Sequence, residues 1–550
     1  MIKFVTRRGF LKASVFGCGA AAATEKFGRP LIRRAHAGSA ASPIAATSLG
    51  KLRGGLAAGI YSFKGVHYGS STAGARRFLP PEPPKPWKGL RNALQIGPPA
   101  PQDRSRLPAG GSGMPVPDLI GPGKMSEDCL VLNVWSPGLS AANRPVMVWL
   151  HGGSYSIGSS GAPMYDGADL AGKHDVVVVG VNHRLNVLGF LYLGKIAGEE
   201  YADSGNVGML DIVLALRWIR DNIAQFGGDP GNVTIFGQSG GGGKVGALMA
   251  MPAAKGLFHK AIVESGSELR VNTSQEADET ARRFLAHIGL TGGRLDELMD
   301  MPMEQVVAQM HSMTNPDPMD AFAPVLDGRS LWRQPFDPDA PAVSANVPMI
   351  IGTTSTEMTN LLGHAHPELF SLSEAQMRSR LKSLPGLADD SRLNAVIGAY
   401  RKDLPAATPS DIYFAVATDQ FVRMDAIRQA ERKATQGVAP AYMYLFSWRT
   451  PVWGGKLGSP HGIEIPFVFE NLDEAKKRIG TGADLRSVAD EVSGAWVAFA
   501  RTGNPNHPGI PRWPAYTPKD RATMIFADHC KVVNDPQKNV RLLLGTLTES

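Results

Sequence analysis

An α/β fold around a central, mostly parallel sheet is what this 550-residue sequence predicts, on three observations. Apolar strand-like runs recur between helical stretches, at residues 146–151, 176–181, 233–236, 261–263, 349–351 and 442–446. Some of them, such as Val176-Val177-Val178-Val179, are continuous instead of alternating, the pattern of a strand buried on both faces. Near residues 208–226, Ile212, Leu216, Ile219, Ile223 and Phe226 follow a 4-3-4-3 spacing that makes one apolar helical stripe, and Gly227-Gly228 ends it. Strand, helix and strand in alternation point to an α/β architecture with helices packed beside the sheet. A composition of 43% hydrophobic and 19% charged residues supports a large core and excludes a disordered chain.

The N-terminus has a different texture. It reads Thr6-Arg7-Arg8-Gly9-Phe10-Leu11-Lys12, then a weakly apolar stretch over 13–24, then Ala35-His36-Ala37. A basic region, a short apolar region and a small-x-small site make a signal peptide over residues 1–37. The paired arginines followed by Phe-Leu-Lys resemble a twin-arginine leader, which implies the twin-arginine export machinery as a partner and a periplasmic or secreted protein. Twelve residues are too few to span about 30 Å of hydrocarbon, so no stable membrane anchor is expected. A lipoprotein cut before Cys18 is disfavoured by the bulky Phe16. The formal charge of +7 belongs to this leader, which holds eight bases and one acid. Residues 38–550 then carry 49 bases against 49 acids, and that neutral body offers no electrostatic case for nucleic acid. Of three cysteines only Cys129 and Cys530 remain after the leader, which is no disulfide framework and no metal cluster.

Residues 38–550 read as a single domain with a largely helical insertion around 270–435. Helical patterns at 276–288, 303–313 and 411–435 dominate there, interrupted by the strand-like run 349–351. Chemistry enters with Gly237-Gln238-Ser239-Gly240-Gly241, a G-x-S-x-G motif between the strand-like run 233–236 and a small-residue helix over 240–251. That setting suits a nucleophile, because a sharp strand-to-helix turn lifts a serine hydroxyl above a sheet edge. Four consecutive glycines at 240–243 would cost a free helix about 1 kcal/mol each, so close helix–strand packing is expected. His151-Gly152-Gly153-Ser154 follows another strand and could aim backbone N–H groups into a cleft, or be a plain strand-end turn.

Longer stretches carry a resemblance. Ser126-Glu127-Asp128-Cys129-Leu130-Val131-Leu132-Asn133-Val134 resembles a signature of the type-B carboxylesterase family, which includes cholinesterases and some lipases. Residues 232–241 are similar to that family's nucleophile signature, and matches such as Arg76-Arg77-Phe78, Phe226-Gly227-Gly228-Asp229-Pro230 and Gly503-Asn504-Pro505-Asn506 extend the likeness over nearly all of 45–520. The resemblance implies an α/β-hydrolase fold and a Ser–Glu–His triad made of Ser239, Glu357 and His461. It implies an oxyanion hole from the N–H groups of Gly153, Ser154 and Gly240, and a supporting place for Ser265 behind the triad. Glu464, three residues after His461, is the competing acid, and is assigned a structural part because triad partners come from separate loops. Arg77 and Glu127 are expected to form a structural ion pair.

The chain departs from the family in two places. Where relatives often pair the signature cysteine with one in a Cys-Pro-Gln segment, this chain has Ala100-Pro101-Gln102. Where cholinesterases carry a choline-stacking tryptophan, residues 113–125 hold no aromatic ring, and Lys124 would repel a cation. Met299, Met301, Met303, Met310, Met313 and Met319 either line a permissive pocket or fill core. The expectation is a serine hydrolase of small-molecule carboxylic esters working through an acyl-enzyme, with no cofactor and no metal. An interfacial lipase and a non-catalytic binding member of the fold are the alternatives.

Overall fold

The computed structural model of the chain describes residues 42–104, 119–140, 143–290, 294–313 and 321–546. The leader, Met319 and residues 113–118 lie outside them. Eleven strands form the central sheet: β1 (Gly55–Ala57), β2 (Ile60–His67), β3 (Val131–Ser136), β4 (Arg144–Leu150), β5 (Val177–Val181), β6 (Gly228–Gln238), β7 (Lys260–Glu264), β8 (Met349–Thr354), β9 (Ala441–Phe446), β10 (Ala522–Phe526) and β11 (Lys531–Asn534). Their order is β11-β10-β9-β8-β7-β6-β4-β5-β3-β2-β1. From β10 across to β5 the neighbours run parallel, and the outer pairs at both ends are antiparallel.

The six strands expected from apolar runs are β4 to β9, the middle of the parallel region. Successive side chains point to opposite faces of a strand, and here they sort into two cores. Val146, Val148, Leu150, Val177, Val179, Val181, Ile235, Val263 and Ile351 enter one core, which also holds the apolar stripe of helix α1 (Val207–Asn222). Met147, Trp149, Val178, Phe236, Ile262 and Ile350 enter the other, against Trp496 and Phe499 of a long C-terminal helix (Asp484–Thr502). Exposing either face would forfeit about 1.5–3 kcal/mol per large apolar side chain, which is why polar residues do not alternate along these strands.

The outer strands escaped the apolar-run reading. β2 contains Lys64 and Gly65, and its register slips between Phe63 and Val66, so no clean period survives. All six residues of β3 are buried, but Asn133 and Ser136 break its apolar run.

Helix α2 (Gly240–Ala250) follows β6 directly, and α3 (Ser274–His287) starts at a capping box of Thr273 and Glu276. Helices α4 (Met303–Ser312), α5 (Pro409–Thr418) and α6 (Met424–Gln436) complete the helical patterns read from the sequence. One π turn, Asp419–Arg423, joins α5 to α6 where a single helix was expected. Between 270 and 435 helices do dominate, but β8 sits inside the sheet. The helical residues therefore lie on either side of a core strand. Met310 and Met313 are buried in the core, and Met299 and Met301 pack against it.

Candidate functional site

Parallel strands end on one edge, and the register of this sheet lines those ends up. Leu150 pairs with Gly237, Gln238 with Glu264, Glu264 with Gly352 and Thr354 with Phe446. The segments following β4, β6, β8 and β9 hence emerge beside one another, where open α/β sheets hold their ligands. Ser154, Ser239, Glu357 and His461 belong to those four segments.

Ser239 is the hinge between β6 and α2. Its backbone sits at φ 59°, ψ −128°, a conformation that costs an L-residue about 1–3 kcal/mol and persists only where the surroundings enforce it. Ser239 N–H donates to the Glu264 carbonyl at 2.8 Å, and Gly243 N–H donates to the Ser239 carbonyl at 3.1 Å. The glycines make the turn possible by their missing side chains. A methyl at Gly241 would run into the Leu150 carbonyl oxygen, one at Gly240 into the Ser154 backbone, and one at Gly266 into the Ser239 carbonyl. Close packing of helix on strand is therefore the reason for the glycine run.

The loop after β4 presses on this turn. A methyl at Gly152 would stand 2.8 Å from the Gln238 carbonyl oxygen and 3.4 Å from Ser239 Cβ. Gly153 has φ 89° and Ser154 φ 52°, so the loop is wound through two left-handed residues. Ile157 and Ser156 N–H groups both donate to the Gly153 carbonyl. Among the described residues no acceptor is paired with the N–H of Gly153 or of Ser154. Gly240 is the first residue of α2, where a helix leaves its N–H without an internal partner. Gln102 braces the loop from outside, its amide oxygen accepting from Gly158 N–H at 2.7 Å and its amide nitrogen donating to the Gly158 carbonyl at 3.0 Å.

Glu357 and His461 meet across the ends of β8 and β9. His461 Nδ1 and Glu357 Oε2 are 2.5 Å apart, and Glu357 is fully buried. Thr354 N–H donates to the other carboxylate oxygen at 2.7 Å. With Nδ1 donating to Glu357, Nε2 presents a lone pair, and in this conformation it accepts from the Gln238 amide at 3.1 Å. Asn360 pins the histidine backbone twice, accepting from His461 N–H at 3.0 Å and donating to its carbonyl at 3.1 Å. Thr356 and Thr359 both donate to the Leu457 carbonyl, tying the acid loop to the histidine loop.

Glu464 is also buried, yet neither of its carboxyl oxygens has a hydrogen-bond partner among the described residues. Burial first, then Glu264 and Glu357, push its pKa well above the usual carboxylate range. Ser265 is buried at φ 51°, and its hydroxyl has no hydrogen-bond partner among the described residues, so none joins it to the triad candidates. Arg77 and Glu127 form a buried two-pronged ion pair at 2.7 and 2.5 Å, and Arg77 also donates to the Leu298 and Met301 carbonyls. Cys129 and Cys530 are free thiols. No cluster of metal-ligating side chains occurs among the described residues, and no helix there is long and apolar enough to cross a membrane. Asn360, Gln238 and Gln102 are the site residues that sequence reasoning passed over. Gln102 stood in a noted segment, whereas an asparagine a hundred residues from the histidine leaves no local signal.

A family model described as the carboxylesterase family matches residues 41–542. The para-nitrobenzyl esterase of Bacillus subtilis (strain 168) is 35% identical over 507 residues, covering 90% of this chain and 97% of its own. The phenmedipham hydrolase of Pseudarthrobacter oxydans is 34% identical over 497 residues, covering 88% and 95%. Among solved structures, a carboxylesterase of Geobacillus stearothermophilus at pH 6.2 superposes with a TM-score of 0.79 at 36% identity, covering 91% of this chain and 99% of that one.

Proposed function

The chain belongs to the carboxylesterase family, carboxylic ester hydrolases with the α/β-hydrolase fold, and from that premise we propose that Ser239 is the nucleophile, His461 the general base and Glu357 the acid of the reaction. The observation that carries this reading is the 2.5 Å bond between His461 Nδ1 and Glu357, beside a serine held on a strained turn. Ser239 Oγ attacks the ester carbonyl carbon while His461 Nε2 takes its proton, which requires the Gln238 amide to yield that nitrogen. Such contacts often tighten only with substrate in place. Glu357 fixes the imidazole tautomer and stabilises the imidazolium. The carbonyl oxygen, now an oxyanion, accepts from the N–H groups of Gly153, Ser154 and Gly240, each such donor being worth about 3–4 kcal/mol. His461 returns the proton to the departing alcohol as the tetrahedral intermediate collapses to the acyl-enzyme. Water, deprotonated by the same histidine, then attacks the acyl carbon, and His461 returns that proton to Ser239 Oγ as the acyl C–O bond breaks and the carboxylic acid leaves. Labelling by a fluorophosphonate probe tests the assignment: wild type is labelled at Ser239 and Ser239→Ala is not. Labelling retained in the variant overturns it.

Uncharged esters are the favoured substrates, in line with a relative named for a para-nitrobenzyl ester. Residues 119–125 hold no aromatic ring. Tyr155 is buried, donates to Glu268 at 2.5 Å and has the Lys244 ammonium 5.3 Å from its ring, and the half-buried Trp453 has the Lys456 ammonium 5.7 Å over its ring, so a quaternary ammonium would meet a resident cation at either one. An aromatic face for a desolvated cation is worth about 2 kcal/mol. Phenyl butyrate should exceed butyrylcholine in kcat/KM, and parity would contradict this specificity.

Residues 1–37 act as the export address in the same reading, on the strength of Arg7-Arg8 and the small-x-small site at 35–37. Replacing both arginines with lysine should leave active enzyme in the cytoplasm. Unchanged export would refute the twin-arginine route.

A further inference from the structure

We propose that the buried ammonium of Lys244 is a positioning group for the oxyanion loop, holding the carbonyls of His151 and Ser154 so that the intervening N–H groups of Gly153 and Ser154 stay turned toward Ser239. The inference rests on the reading of that loop given above. Lys244 lies on α2, five residues after the nucleophile, and is fully buried. Its Nζ donates to the His151 carbonyl at 2.9 Å and to the Ser154 carbonyl at 2.8 Å. A buried charge has no place in a core unless it is bonded, and these bonds are to the two residues that bracket the loop. Pulling both carbonyls toward one cation sets the His151–Gly152 and Ser154–Tyr155 peptide groups, which flank the two that carry the Gly153 and Ser154 N–H groups. This also explains how Ser154 tolerates φ 52° where a glycine would be the cheaper residue.

The surroundings place the positive charge on Lys244 and keep it off its neighbours. From the oxyanion loop, His151 faces it, and burial followed by the Lys244 charge drives that imidazole down to about 3. From the segment after β5, His183 stacks on His151 with ring centroids 5.0 Å apart, and burial followed by Lys244 lowers it well below its usual value. Glu268, after β7, attracts the ammonium, and the Tyr155 ring lies 5.3 Å beneath it. A methyl at Gly243 would come within 2.8 Å of both Glu268 Oε2 and the Tyr155 hydroxyl, so the glycine before Lys244 is the one that admits this pair. Burial lowers the Lys244 ammonium to about 7, with Glu268 opposing. Raising the pH therefore neutralises the cation and weakens the clamp, whereas lowering it preserves the clamp.

Steady-state kinetics from pH 6 to 9.5 test this. Wild type should show an alkaline limb in kcat that is absent in Lys244→Met, and Glu268→Gln should move the limb to lower pH by removing the opposing anion. At pH 6.5 Lys244→Met should lose about 100-fold in kcat, the scale of a small misplacement of catalytic groups, with KM changed less than threefold. Its affinity for a trifluoromethyl ketone, which mimics the oxyanion, should fall by a like factor. Should Lys244→Met fail to fold, the limb shift in Glu268→Gln still decides. A limb unmoved by Glu268→Gln, or kcat in Lys244→Met within twofold of wild type, overturns the proposal. Ester turnover surviving in Ser239→Ala instead overturns the triad reading on which it stands.

Discussion

The Ser239 turn and the His461 loop are held by different means. On the nucleophile side, β4, β6 and α2 approach backbone to backbone, with Gly240, Gly241 and Gly266 admitting carbonyls where a methyl would clash. On the Glu357 and His461 side, the loops after β8 and β9 are tied by side chains, through Asn360 to His461 and through Thr356 and Thr359 to Leu457. Rigidity has a different source on each side. A serine at φ 59° must be over-determined by packing, because strain of a few kcal/mol would otherwise relax the turn. A histidine in an ordinary loop needs only its ring directed, and hydrogen bonds worth about 1 kcal/mol each suffice.

The largest expected effects fall on the chemistry itself. Ser239→Ala should reduce kcat about 10⁶-fold and Glu357→Gln about 10⁴-fold, with Tm little changed in both. A Glu357→Gln loss under tenfold would place the acid elsewhere. Gly241→Ala comes next and should act on stability: forcing a methyl against the Leu150 carbonyl should cost about 3 kcal/mol or abolish folding. Gly256→Ala is its control. That glycine has φ 75° but open space around it, so about 1 kcal/mol is expected from urea denaturation. Equal costs would mean that close approach does not hold the elbow.

Asn360→Ala should weaken the other half gently. Losing two backbone anchors of His461 should lower kcat about tenfold, near 1.4 kcal/mol, with Tm down by a few degrees. A loss as large as that of Glu357→Gln would show that side-chain ties are as strict as the glycine packing.

Glu464→Gln should have the smallest effect, under threefold in kcat at pH 7, because Glu464 makes no bond to His461. Its signature lies in stability. The unfolded chain ionises this carboxyl near 4.5, and the folded chain does so at higher pH. Between those values the folded state holds a proton that the unfolded state has released, so wild-type stability falls as pH rises through the window. Glutamine has no such proton, and Tm of the variant should gain on wild type above about pH 4.5. A gap that stays constant with pH would refute the raised ionisation.

Local order was legible in the sequence. The strands β4 to β9, the stripe of α1, and the strand–Ser239–helix turn are written in contiguous residues, because burial on two faces, helical period and tight turning each act over a few positions. The resemblance added Glu357 and His461 by position, but contiguous residues alone could not choose Glu357 over Glu464, which stands closer to His461 in the chain. Tertiary structure sets the two apart: the Glu357 carboxylate after β8 meets the His461 imidazole after β9 because those strands are parallel neighbours, while Glu464 turns into a buried site with no hydrogen-bond partner among the described residues. It likewise decided that Lys244, one charge in a run of small residues, ends on the carbonyls of His151 and Ser154, about ninety residues away. Contacts of that span depend on strand order and register, which no window along the chain contains.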